Sequence, residues 1–535
     1  MAKLAQDRIA PRLFTSRGEP AEVHPVLNVL VGMLLAVVLI PFIYLIIRAL
    51  EKPLPEIVDL LFRGKTLEVL ATTAVLLVVV VAVNIFVGTL ISVGLHFVRV
   101  PKAHLLIVAS VLPLAIPSYV FTYTWLALFP SLSGVLATAF ILILTTMPYM
   151  LLAILVSLRR IDNSFIEVAR TLGQTRSQIF FRVILPQIRG SISAGALLSG
   201  LYVLSDFGAV SLLNVETLTV SIQNMFKSSY DRSAASVISL VLILASVVFI
   251  AADERIKDKK AKENVFKRLY TQDSRITSIR LKSLVLISVG IYTTLAVIVP
   301  FYVLISRFIS NPNPIDVAAL FAASVSTISV SALGALIALL FSAPLGFLIA
   351  THAGRFSRIS ERIILIGHAL PGVVIGLALV SLGSKLGPIY QSVFLLAFAY
   401  ALLFLAKAVA SMTFSLQLVP PVLKEVAATL GKSKTRISTS VVFPIALPSI
   451  GLGTLLVFLT AMKELPATLM LRPTGMDTLA TQIWSYASIN RFNDAAPYAL
   501  LLVLIAAVPT FLLSMPRAES APSSTNNDTK VGSLA

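Results

Sequence analysis

Glu167-Val168-Ala169-Arg170-Thr171-Leu172-Gly173 returns 258 residues later as Glu425-Val426-Ala427-Ala428-Thr429-Leu430-Gly431. In each copy a proline follows thirteen positions after the glycine, Pro186 in the first and Pro444 in the second. The same displacement carries Leu112-Pro113 onto Leu370-Pro371, and Asp206-Phe207-Gly208-Ala209 onto Glu464-Leu465-Pro466-Ala467. One shift that holds from 113 to 209 marks an internal duplication. Whatever encloses the first mark must be built again around the second.

The chain around these marks is apolar. Of 535 residues, 57% are hydrophobic and 13% are charged, with a mean hydropathy of +0.92. A soluble domain carries about 25% charge, so the groups needed to face water are missing. A bilayer core takes about 20 apolar residues per helix. Such runs recur near 27–49, 67–95, 105–127, 134–157, 191–212 and 233–252, and again near 284–306, 318–350, 364–384, 391–415, 447–470 and 494–514. The first run is too long for the apolar part of a cleavable leader, and it lacks a small-residue cleavage site. An even number of spans per copy inserts both copies the same way up. The expected fold is an all-α polytopic membrane protein of about 12 transmembrane helices, in two tandem six-helix halves. A pseudo-twofold axis along the membrane normal should relate the halves, with a pathway between them.

The net charge of +18 raises the question of nucleic acid, but lysine and arginine also collect in the cytoplasmic loops of membrane proteins. Roughly three times as many basic residues fall on the face holding both termini as on the other, which places the termini in the cytoplasm. The expected divisions are a cytoplasmic N-terminal segment at 1–26, a first half at 27–252 and a second at 284–516. A basic linker at 253–283 joins the halves, and the tail at 517–535 reads as disordered.

Catalytic chemistry finds little support. No cysteine is present, which excludes disulfides and thiol chemistry. The histidines (His24, His96, His104, His352 and His368) are scattered without metal-ligand spacing. Gly431-Lys432-Ser433 resembles the end of a phosphate-binding loop, but that loop needs a glycine where Val426 stands. The chain is expected to bind no ATP and no cofactor of its own, and no metal site is assigned. Gly372 and Gly376 have the spacing of a helix-packing contact, which is common in membrane spans.

The two marked loops carry more information. Val168, Leu172 and Ile179 fall near helical spacing, as do Val426, Leu430 and Ile437, with Arg170, Arg176, Lys432 and Lys434 beside them. Each glycine suits a helix stop, so each loop should fold as two short helices outside the membrane. Two such loops at matching positions call for a twofold partner beneath them.

These loops resemble the signature of ABC-importer permeases, Glu-Ala-Ala-x3-Gly-x9-Ile-x-Leu-Pro. Val168 and Val426 replace the first alanine, Val183 and Val441 replace isoleucine, and Phe443 replaces leucine. The resemblance implies that Glu167, Ala169, Gly173 and Pro186, with Glu425, Ala427, Gly431 and Pro444, shape coupling helices that dock on ATPase subunits. It implies two such subunits on the cytoplasmic face, holding ATP and magnesium, and a periplasmic substrate-binding protein on the other. It also implies residence in a bacterial inner membrane. Within the family, Asp206-Phe-Gly-Ala-Val and Lys463-Glu-Leu-Pro-Ala-Thr-Leu-Met-Leu-Arg-Pro look most like ferric-iron permeases. Fused permeases for thiamine, polyamines or phosphonates are near relatives. An ion-gradient-driven secondary transporter also has two six-span halves, but it would have no use for paired docking loops.

Asp206 and Glu464 occupy equivalent positions, each two residues before a helix-weakening Gly208 or Pro466. Carboxylates in apolar surroundings usually face a bundle interior or a water-filled cavity. Both are pathway candidates, with Tyr119, Tyr123 and Tyr202 as further hard oxygen ligands for a ferric cargo. The plainer expectation is that Glu464 pairs with Lys463 and that both acids anchor helix ends.

Overall fold

The computed structural model describes residues 25–514, apart from 160, 162, 228–230, 257–277, 353, 369 and 386. The expectations for the N-terminal segment, the middle of the linker and the tail therefore lie outside the described residues. Every regular element among those described is helical.

The duplication is visible helix by helix. Gly64–Phe97 in the first half corresponds to Val317–Thr351 in the second, and Gly134–Leu158 to Val393–Gln417. Likewise Leu185–Ser205 corresponds to Phe443–Ala461, and Arg232–Ile256 to Phe492–Ser514. Small residues let these helices approach closely. Gly88 sits against Met150, and its counterpart Gly346 against Met412, where an added Cβ would lie 3.1 and 2.8 Å from the methionine Cβ. The faces turned away from the bundle carry exposed Phe86, Leu136, Phe321 and Leu340, as a lipid-facing surface requires.

Nine of the described helices are long and apolar enough to cross a membrane. A tenth candidate is a broken pair, Ala103–Ala115 and Ser118–Leu128, bent by 94°. Gly372–Gly383 and Phe492–Ser514 stand where the remaining two are expected. The uninterrupted spans read near 105–127 and 364–384 are corrected: Pro117 and Pro371 interrupt them, each in extended backbone just ahead of a new helix. Proline disfavours helix in the residue before it, so the preceding turn ends there. This also corrects the pairing of Leu112-Pro113 with Leu370-Pro371. Pro113 lies in a 3₁₀ turn, and it is Pro117 that matches Pro371, with φ,ψ of −64°,154° against −64°,155°.

The spans read to 212 and 470 are also shorter than expected. Leu185–Ser205 and Phe443–Ala461 stop, and short helices Gly208–Leu212 and Pro466–Leu471 follow. Two further helices, Leu218–Lys227 and Leu479–Ser488, come next, and the hydropathy pattern gave no sign of them.

The two halves are interlocked. The first helix, Pro25–Ala49, packs on Arg355–His368 and Gly372–Gly383 of the second half as well as on Arg232–Ile256 of its own. Conversely, the first helical run of the second half, Ile279–Ile309, packs on the first half. Val285 fills the space over Gly94, and the Tyr292 hydroxyl lies 3.3 Å from the carbonyls of both Ser110 and Leu144.

Candidate functional site

Each marked loop folds as foreseen into two short helices, Asn163–Thr171 with Arg176–Ile179 and Pro421–Thr429 with Lys434–Ile437. Gly173 and Gly431 both have φ of +75°. Gly173 N–H donates to Arg170 O (3.0 Å) and Gln174 N–H to Ala169 O (3.1 Å). Gly431 N–H donates to Ala428 O (3.0 Å) and Lys432 N–H to Ala427 O (3.2 Å). This nested pair of bonds around a left-handed residue is the Schellman stop, which favours glycine. Thr175 and Gln178 then close a reciprocal capping box that starts the next helix of the first loop.

Pro186 and Pro444 each follow a π-helical turn, Phe180–Ile184 and Ser438–Val442. Proline has no N–H to offer the preceding turn and crowds its carbonyl, and the wider turn makes room for it.

The loop helices sort their side chains in a way that spacing alone did not reveal. Ala169 and Ala427 are buried, so a small residue lets each helix lie close to the bundle. Ile179 is buried too, whereas Val168 and Leu172 are 56% and 73% exposed. Val426 and Leu430 repeat that exposure at 50% and 75%. The apolar side chains of the loops therefore divide between two faces, one turned to the bundle and one left open. Glu167 is half-buried and Glu425 exposed.

About 30 Å along Leu185–Ser205 from its loop, at 1.5 Å per residue, lies a cavity of about 260 Å³ between the halves. Four helices begin at it: Ser118–Leu128 and Gly208–Leu212 from the first half, Gly372–Gly383 and Pro466–Leu471 from the second. Broken helices around a central site are the device by which membrane transporters present backbone polar groups to cargo.

Both candidate acids line this cavity, and both act as caps. Asp206 Oδ1 accepts from Ala209 N–H (2.9 Å) and Val210 N–H (3.4 Å), while its Oδ2 accepts from the Ser118 hydroxyl. Glu464 Oε1 accepts from Ala467 N–H (3.0 Å), and Oε2 from the Thr468 N–H (3.0 Å) and hydroxyl (2.8 Å). The expected Glu464–Lys463 pair is corrected: Lys463 Nζ instead donates to Leu114 O of the other half at 2.8 Å. A carboxylate in apolar surroundings is held best by amide donors that are themselves unsatisfied, and the first turn of a helix supplies them.

Tyr119 and Tyr202 line the cavity, but Tyr123 does not. One turn further along its helix, Tyr123 points away, donating to Phe492 O at 3.0 Å and packing on the Phe492 ring. The cavity also gathers Ser118, Tyr149, Lys407 and Lys463, none of them among the pathway candidates read from the sequence. The lysines had a signal: an ionisable residue inside a span is a functional candidate by default. Ser118 had none, because its role depends on the break at Pro117. Phe207 lines the cavity and lies against Trp484 of the other half, whose indole N–H reaches Ser211 Oγ at 3.4 Å. Among the described residues no group of three histidine, aspartate or glutamate side chains is placed to hold a metal ion.

A duplicated membrane fold with paired loop helices on one face and broken helices round a central cavity defines a permease. The chain belongs to the family described as "Binding-protein-dependent transport system inner membrane component", which matches residues 84–261 and 342–515. Those two matches start 258 residues apart, the displacement of the repeat. It is thus a fused tandem permease of an ABC importer. It is 30% identical, over 91% of its length and 97% of the relative's, to the Fe(3+)-transport system permease protein FbpB 2 of Haemophilus influenzae. Sulfate permease 2, chloroplastic, of Chlamydomonas reinhardtii is 26% identical over 46% of this chain and 73% of the relative. The spermidine/putrescine permease PotB of Haemophilus influenzae is 32% identical over 20% of this chain and 40% of the relative.

Proposed function

We infer that this chain forms the path by which ferric iron, handed over by a periplasmic binding protein, crosses the inner membrane. ATP hydrolysis in two separate ATPase subunits would drive the step. The observation that carries the cargo is likeness over nearly the whole length, both halves together, to a ferric-iron permease. The sulfate and polyamine permeases align with half of the chain or less.

The geometry supports this reading. At about 260 Å³ the cavity is smaller than the roughly 300–1,000 Å³ of pockets for drug-sized ligands, which favours an ion with few attendants. Lys407 and Lys463 in its wall oppose any unshielded cation, a polyamine or thiamine as much as bare iron. The same lysines favour an oxyanion such as sulfate as the second reading.

In this account the open apolar faces at Val168, Leu172, Val426 and Leu430 dock on the ATPase subunits in the cytoplasm. Closure of that pair would draw the loops together and rock one half against the other about the cavity. Asp206, Glu464, Tyr119 and Tyr202 line the path.

The test is reconstitution of the chain with its ATPase and binding protein in proteoliposomes. Labelled ferric iron is expected to accumulate only with ATP and both partners, in preference to sulfate, spermidine and thiamine. Accumulation of sulfate in place of iron, or uptake driven by a proton or sodium gradient without ATP, would overturn the reading.

A further inference from the structure

The cavity holds two carboxylates and two ammonium groups, yet the two signs are not equally engaged. Every oxygen of Asp206 and Glu464 already accepts a hydrogen bond, mostly from the first turns of the two short helices. The positive groups are freer. Lys407 has no hydrogen-bond acceptor among the described residues and lies only over the Phe404 ring, its Nζ 5.4 Å from the ring centre. Lys463 donates one of its three protons, to Leu114 O.

The two longer helices that start here add to the positive side. Ser118–Leu128 and Gly372–Gly383 follow Pro117 and Pro371, whose carbonyls take the N–H groups of Val120 and Phe121 and of Val374 and Ile375. The N–H groups ahead of these have no carbonyl of their own helix to bond and lie at the positive end of the helix dipole. Tyr119 also lines the cavity, but its hydroxyl oxygen is closed off from it.

We propose that Lys407 and Lys463, with the starts of helices Ser118–Leu128 and Gly372–Gly383, bind the anionic part of the cargo. Ferric iron then crosses this cavity as a small ferric–oxyanion complex, not as a bare cation. The inference rests on the ferric reading above. A bare trivalent cation would meet two ammonium groups and two helix N-termini, all of the wrong sign. An oxyanion shell of negative net charge reverses every one of those interactions. It also keeps hard oxygen ligands on the iron, which the fully engaged carboxylates need not supply.

The experiment uses the complete complex in proteoliposomes, with inorganic phosphate as the one oxyanion in a bicarbonate-free buffer. Ferric iron and phosphate carry separate labels. Both labels are expected to accumulate together in a constant ratio, and iron uptake to fall when phosphate is withheld. Lys407→Gln is expected to lower iron uptake about tenfold or more, the scale of one charge-assisted hydrogen bond, with Lys407→Arg recovering part of it. Co-purification with the ATPase subunits checks assembly, and the label ratio in the unaltered complex tests the idea without any variant. Iron uptake unchanged by Lys407→Gln and by Lys463→Gln, with no phosphate entering, overturns the anion site and leaves ferric cargo standing. An unaltered complex that admits phosphate but no iron overturns the ferric reading and this inference with it.

Discussion

At the residue scale the two halves solve one problem with different side chains. A carboxylate must cap the helix that follows the break, and its outer side must fit against the start of another helix. The first half uses the shorter Asp206 with the Ser118 hydroxyl against it. The second uses the longer Glu464, and Gly372 stands where Ser118 stood. A Cβ at Gly372 would collide with Glu464 Oε1 and lie 3.0 Å from Pro466 Cγ. Gly372→Ser is therefore expected to cost about 1–3 kcal/mol, the usual penalty for overpacking, read as a lower apparent melting midpoint of the assembled complex. Adding Glu464→Asp recreates the pairing of the first half and should recover most of the loss. A double variant no more stable than Gly372→Ser alone would refute this complementarity.

At the element scale the marked loops are helix pairs whose stop is written into one residue. Gly173 and Gly431 have nothing within 4 Å of an added Cβ, so space is no obstacle to a side chain there. The obstacle is φ of +75°, which costs a residue with a side chain about 1–2 kcal/mol, and more when it is β-branched. Gly173→Val with Gly431→Val should therefore redirect both loop helices while leaving the bundle intact. The expected result is a chain that inserts and is retained in the membrane but supports little uptake and little substrate-stimulated ATP hydrolysis. Normal uptake by the double variant would show that the turn geometry is immaterial to coupling. Gly173→Ala with Gly431→Ala, equally uncrowded but less strained, should fall between the two.

At the scale of the whole molecule, the opening helix of each half is braced on the other half, so neither half buries its own surfaces completely. In Pro25–Ala49 the buried Val38 lies against Gly367 of the second half and would be uncovered if that half were absent. Arg307 donates across the same boundary to Ala127 O, and the Tyr123 hydroxyl to Phe492 O at 3.0 Å. Severing the chain within 257–277 and producing both fragments together should give a complex that co-purifies and transports. Either fragment produced alone should be degraded, which immunoblotting of membranes would register. A first half that accumulated alone to the level of the pair would argue that the brace contributes nothing to stability.

Local signals were enough to establish the membrane class, the duplication and the loop stops. Apolar run length, the return of Glu-Val-Ala-x-Thr-Leu-Gly and a glycine ahead of a proline each act within a few turns of chain. The acids at 206 and 464 were legible as candidates for the same reason, since a charge inside an apolar run is conspicuous. What each acid touches was not legible. Glu464 has Lys463 next to it in sequence, yet a helix that restarts at Pro466 turns the carboxylate to the amides of Ala467 and Thr468 and sends the lysine to Leu114 of the other half. Tyr119 and Tyr123 sit one turn apart on the same helix, and only packing against Phe492 separates the one in the cavity wall from the one outside it. Hydropathy reports how much of a segment prefers lipid and is blind to a bend. The breaks at Pro117, Asp206, Pro371 and Glu464 acquire a common purpose only when tertiary packing brings four helix starts, two from each half, to a single cavity.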